Sequence, residues 1–73
     1  MNADVSNSEK AIEIAEAYAD DECVGQLGDI VDVEERENEW IVEFRTHTYA
    51  DAYTHRLRIT KNVGNVISHE RSD

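Results

Sequence analysis

Trp40-Ile41-Val42-Glu43-Phe44-Arg45-Thr46 is the stretch that decides the fold. Trp40, Val42 and Phe44 alternate with Ile41, Glu43 and Arg45, the period of two that marks a strand with one buried face. The only Trp and the only Phe of the chain fall on the same side of that strand, so its heaviest apolar groups point one way.

Downstream, Tyr53, His55, Leu57 and Ile59 alternate with Thr54, Arg56, Arg58 and Thr60, which gives a partner strand over residues 53–60. Charge selects the register between the two. With Val42 opposite Leu57 and Phe44 opposite His55, Trp40 meets Ile59 and Glu43 meets Arg56. A shift by two sets Arg45 against Arg56, a like-charge pair that costs up to about 1 kcal/mol. The preferred register leaves residues 47–52 as a connecting loop.

Upstream, residues 29–35 read as a strand with Val31 and Val33 inward, and Ile30 at an edge or against the turn. Arg36-Glu37-Asn38-Glu39 is polar and forms the hairpin turn into the Trp40 strand. Beyond the third strand, Lys61-Asn62-Val63-Gly64-Asn65 is a turn, and residues 66–70 form a short fourth strand.

The N-terminal part is helical, over residues 7–23. Ser6 caps the first turn and Glu9, three residues on, closes a capping box. Ala11, Ile12, Ala15, Tyr18, Ala19 and Cys23 share one face, with Ile14 at its flank, and Glu9, Glu13, Glu16 and Asp20 take the other. Gly25 and Gly28 supply the positive-φ positions that end the helix and turn the chain. Residues 1–5 and 71–73 are expected to be disordered. The sum is one α+β domain over residues 1–73, a helix packed on a three- to four-stranded antiparallel meander.

Composition bounds the function. Seventy-three residues make a single small core, 40% hydrophobic and 33% charged. One cysteine excludes an intrachain disulfide, and no apolar run approaches the roughly 20 residues of a membrane helix. The acidic N-terminus lacks the basic and apolar regions of a secretory signal, so a cytoplasmic location is expected, without a membrane partner. The net charge is −10 and unevenly spread: residues 1–44 carry −12 and residues 45–73 carry +2. Only two of the seven basic residues are lysine, and proline is absent. This composition resembles the proteins of salt-in halophiles, haloarchaea above all. The rival reading is an acidic surface that mimics nucleic acid to occupy a basic protein.

Several constellations bear on chemistry. Residues 47–55 read His-Thr-Tyr-Ala-Asp-Ala-Tyr-Thr-His, a palindrome about Asp51. A hairpin centred there would bring His47 near His55 and Tyr49 near Tyr53, with His69 on the last strand as a third imidazole. Three imidazoles suit zinc, copper or nickel; the competing reading is a set of polar, aromatic strand ends. That hairpin centre disagrees with the charge-selected register unless a bulge intervenes. Asp20-Asp21-Glu22 at the helix end reads as a solvated acidic turn, because the ligand spacing of a calcium loop is missing. Cys23 follows an acidic helix, where the dipole disfavours a thiolate, and reads as a small core residue. No glycine-flanked nucleophile turn is present, so neither catalysis nor a cofactor is expected. Arg45, Arg56 and Arg58, with His47 nearby, form one basic strip on the face away from Trp40; with a net −10 around it, nucleic-acid binding is not expected.

Glu9-Lys10-Ala11-Ile12-Glu13-Ile14-Ala15, Gly28-Asp29-Ile30-Val31-Asp32-Val33-Glu34, Trp40-Ile41-Val42-Glu43-Phe44 and Leu57-Arg58-Ile59-Thr60 with Gly64-Asn65-Val66-Ile67 follow one another in an order that resembles the PepSY-type domain. The resemblance spans residues 9–70 and implies a non-catalytic binding or inhibitory module; it carries no site residue across. The function expected from the sequence is therefore that of an interaction module. It takes a protein partner or a second copy through the open sheet face or edge, with Ile41, Arg45, Tyr49, Tyr53, Arg56 and Arg58 as the contact residues. The alternative is a metal- or ligand-binding protein using His47, His55 and His69.

Self-repulsion at this charge density destabilises a small core, and salt screens it, the Debye length falling to about 3 Å at 1 M. The melting temperature should therefore rise between low and multi-molar salt. An unchanged melt would remove the halophile reading.

Overall fold

A computed structural model describes Val5 and residues 7–22 and 26–72. One helix, α1 (Ser8–Glu22), precedes four strands: β1 (Gln26–Glu35), β2 (Glu39–His47), β3 (Ala52–Thr60) and β4 (Val66–Ser72). The strands form one antiparallel sheet in the order β1-β2-β3-β4, a meander, so the domain is α+β.

The central pairing is the one that charge selects. Trp40 lies opposite Ile59, Val42 opposite Leu57, Glu43 opposite Arg56 and Phe44 opposite His55. Pairing continues one step further than expected, to His47 opposite Ala52, so the connection shrinks to residues 48–51. That turn is closed by the Thr48 amide donating to the Asp51 carbonyl (2.8 Å) and by the Thr48 hydroxyl accepting from the amides of Ala50 and Asp51. A hairpin centred on Asp51 is thereby excluded.

The helix stands on the inner sheet face, nearest β1 and β2. Ala11, Ala15 and Ala19 are its buried residues, four apart on one stripe, and their small side chains let the backbone approach the sheet. Ile14 and Tyr18 pack at the margins of the core. The N-terminal cap is Asn7, whose Oδ1 accepts from the Lys10 amide at 2.9 Å; the expected cap, Ser6, lies outside the described residues, as do Cys23 and Gly25.

Three expectations are corrected. Val31 points to solvent, 44% exposed, while Ile30 packs on the core. The reason is an irregularity between Ile30 and Asp32 that inserts one residue into β1, so Ile30 and Val33 face inward together. Gly28 is a strand residue beside a second irregularity, between Leu27 and Ile30, and does not have positive φ. A Cβ there would stand 3.2 Å from the Arg45 carbonyl oxygen, so the close approach of β2 is what favours glycine. The positive-φ glycine is Gly64 (69°), in the β3–β4 turn. Finally, Val5 is not frayed and β4 does not end at residue 70. Val5 is buried, its amide donates to the Lys61 carbonyl (2.8 Å), and its carbonyl accepts from Trp40 Nε1 (3.0 Å).

The core comprises Val5, Ala11, Ala15, Ala19, Trp40, Val42, Phe44, Leu57 and Ile59. Trp40 is the one core side chain held by both burial and a directed hydrogen bond. Trp40→Ala should cost about 3–5 kcal/mol, read from the shift of a denaturant midpoint. An unchanged midpoint would mean that the inward face is misassigned.

Candidate functional site

Phe44 and Thr46 on β2, His55 on β3, His69 on β4 and Tyr18 on α1 meet on the inner face beside the apolar core. The pairing that places Phe44 opposite His55 drives that imidazole inside, where it is 3% exposed and stacks on the phenyl ring at 5.1 Å with 16° between planes. A buried imidazole needs partners for its nitrogens. Nε2 of His55 is 2.7 Å from the Thr46 hydroxyl, itself buried, and Nδ1 is 2.8 Å from Nε2 of His69. Nδ1 of His69 is 3.3 Å from the Tyr18 hydroxyl, whose ring meets the imidazole edge-on at 5.3 Å. The result is a continuous chain, Thr46–His55–His69–Tyr18, running from the interior to the helix surface.

The electrostatics of the chain oppose charge at its inner end. Burial, then the neighbouring His69, then Arg71 hold the His55 pKa below the ordinary 6.5 of histidine. Arg71 lies opposite His55 in the ladder and keeps its guanidinium over the Tyr53 ring, 5.1 Å from the centroid.

His47 does not join this group. It pairs with Gln26 and Ala52 at the far end of β2, on the face opposite Thr46, so two imidazoles converge and the third stands apart. The palindrome misleads here, because it aligns His47 with His55 across a hairpin centre that the chain does not use. Among the described residues no group of three or more His, Cys, Asp or Glu stands where it would hold a metal ion. The two facing imidazoles have hydrogen-bond geometry. Their ring centres are 5.1 Å apart and their facing nitrogens 2.8 Å apart. The difference is that of two ring radii, ~1.1–1.2 Å each for bonds near ~1.35 Å, so the nitrogens and ring centres lie nearly on one line. A chelated ion would draw both lone pairs to a point off that line.

The outer sheet face presents the remaining candidates. Arg45, Arg56 and Arg58 are exposed there. Arg58 grips Glu39 with two nitrogens, at 2.6 and 2.8 Å, which lowers the Glu39 pKa and raises that of Arg58. Arg56 stands between Glu43 and Glu70 in the ladder. The basic strip is therefore largely neutralised by its own sheet. Ile41 lies on this face, as expected, but is only 5% exposed. It sits in a depression of about 260 Å³ shared with Arg36, Glu39, Arg56 and Arg58, whose aliphatic stems suit the covering of an apolar side chain. Tyr53 is half-buried on the inner face, whereas Tyr49 is fully exposed at the hairpin tip. Tyr49 borders a cleft of about 330 Å³ with Gln26, His47 and Thr48.

Sequence reasoning placed Tyr18 and His55 inward but missed that they are joined. Strand parity alone gave no signal for the link, because His69 comes opposite Leu57 only through the residue inserted in β4. Comparison of the chain with protein-family models, curated proteins and solved structures found no match. No described helix is long and apolar enough to cross a membrane.

The lowered His55 pKa fixes the sign of a pH effect. Between about 6.5 and the lower folded value, the unfolded chain binds the proton that the folded chain refuses, so stability rises with pH in that window. Denaturant midpoints at multi-molar salt should be level above about pH 7 and should fall as the pH drops below about 6.5. A midpoint that is flat down to pH ~5 would show that His55 is not held neutral.

Proposed function

We propose that this is a non-enzymatic, halophile-type cytoplasmic interaction module, which pairs with a second copy of itself along the free edge of β4. The observation that carries the reading is the contrast between the two edges of the sheet. β1 is interrupted twice and carries Asp29, Asp32, Glu34 and Glu35, devices that repel an added strand. β4 has one irregularity, between the residues paired to Arg58 and Ile59, and then runs regularly from Ser68 to Ser72.

The charges of β4, Glu70 and Arg71, cancel, and Ile67, the residue inserted just ahead of that regular run, is 54% exposed. A two-fold axis sets a strand antiparallel to its own copy, an arrangement in which this neutral edge meets no net like charge. High salt supports the association twice over, by screening the net −10 and by strengthening apolar contact at Ile67. The resemblance to PepSY-type modules points towards binding as well. Catalysis is not part of the reading, since among the described residues the polar groups of the Thr46–His55–His69–Tyr18 cluster are engaged with one another.

Sedimentation equilibrium at multi-molar salt should show a monomer–dimer equilibrium. Ile67→Lys should weaken it about tenfold or more, with little change in the melt. A wild-type chain that remains monomeric up to about 1 mM would overturn the proposal; so would a dimer indifferent to the substitution.

A further inference from the structure

We propose that His55 and His69 form a proton-operated latch that fastens β4 to the core and to α1, closed with none or one added proton and opened by the second. The inference goes beyond the pairing reading and stands without it.

The argument is a count of hydrogens. Three links join four groups: Thr46 to His55, His55 to His69 and His69 to Tyr18. Each link needs one hydrogen. With both imidazoles neutral the requirement is met: the Thr46 hydroxyl donates to His55 Nε2, His55 Nδ1–H to His69 Nε2, and His69 Nδ1–H to the Tyr18 oxygen. The reverse direction is closed equally well. One added proton also leaves the chain intact. His69 then donates from both nitrogens, to Tyr18 and to His55 Nδ1, and His55 Nε2–H donates to Thr46. The middle link is kept, with a cationic donor.

The second proton has no place. Both facing nitrogens would carry hydrogen along a nearly straight line of 2.8 Å, and two cations would share a site whose inner member is buried against Phe44. The charged and titratable described groups that face the pair add to the penalty or leave it unchanged. Arg71, opposite His55 on β4, is a permanent cation; Tyr53 on β3 and Tyr18 on α1 bring phenol hydroxyls; β2 contributes Phe44 and Thr46. Glu70, the nearest carboxylate in the chain, pairs with Arg56 and lies on the other sheet face. His69 is exposed, so the relief is for its imidazole to swing into water, which releases β4 and the end of α1 that Tyr18 anchors. The two protons belong to the pair and are taken up in two macroscopic steps.

The test is residue-resolved hydrogen exchange on the full chain at multi-molar salt, expressed as protection factors, from about pH 8 to about pH 5. In the wild type, amides of the β3–β4 ladder should lose protection about tenfold or more across the second uptake, while the β1–β2 ladder stays protected. His69→Gln keeps a donor and an acceptor opposite His55 but takes up no proton, so its β3–β4 ladder should show no such step. The latch is overturned by the same step in His69→Gln, by no step in the wild type, or by simultaneous and equal loss in both ladders. Should the variant not fold, the ¹⁵N resonances of the wild-type imidazoles decide. The second proton uptake must coincide with the loss of β4 protection, and a separation beyond about one pH unit overturns the latch.

Discussion

The register of β2 against β3 is the constraint on which the rest of the domain depends. β2 is flanked on both sides, and its inner residues Trp40, Val42, Phe44 and Thr46 are all buried. Slipping the pairing by one residue would exchange these for Ile41, Glu43 and Arg45. Slipping by two would keep the faces but oppose Arg45 to Arg56. The same register that assembles the core also drives an imidazole into it, by setting His55 against Phe44. A buried imidazole is tolerable only where its nitrogens are paired, and Thr46 and His69 supply the pairs. Core and polar chain are thus two consequences of one alignment.

The helix adds closeness rather than area. An alanine stripe brings its backbone near β1 and β2, but three alanines remove little apolar surface from water. Val5 makes up part of the difference at the other end of the sheet. Bonded to Lys61 on one side and to Trp40 on the other, it closes the core beside Leu57 and Ile59. With so few apolar groups, stability is a small difference between large terms. That is why a charge of −10, minor in a larger protein, weighs heavily here.

What the sequence made legible follows from which forces act locally. The β2–β3 register was readable because period-two burial and one pair of opposite charges agree on it. Val31 was not, because an inserted residue exchanges its face with that of Ile30, and nothing in the alternation of β1 announces the insertion. The palindrome around Asp51 was persuasive and empty: symmetry of letters exerts no force, while the Thr48 hydroxyl, bonding two amides, places the turn. Ile41 was readable as outward-facing but not as buried, since its cover consists of long side chains from neighbouring strands rather than of any element. The polar chain needed three strands and the helix at once. Its inner half was implied by the register, but the His69 link depended on the irregularity at the start of β4.

The uneven charge along the chain acquires a spatial meaning in this fold. Most of the acid of residues 1–44 falls on the exposed side of α1 (Glu9, Glu13, Glu16 and Asp20 to Glu22) and on β1 (Asp29, Asp32, Glu34 and Glu35), one edge of the sheet. Residues 45–73, with a small positive balance, build the other half. There Arg56 is set between Glu43 and Glu70, and Arg58 is bound to Glu39, so the outer face is internally neutralised instead of displaying a basic strip. An antiparallel meander keeps sequence neighbours adjacent in space, so a gradient in composition becomes a gradient across the sheet. β1 carries four carboxylates and two insertions; β4 is regular from Ser68 to Ser72. The two edges of the sheet therefore differ in both charge and regularity. The regular edge is also the one that carries His69, where the interior hydrogen-bond chain reaches the surface.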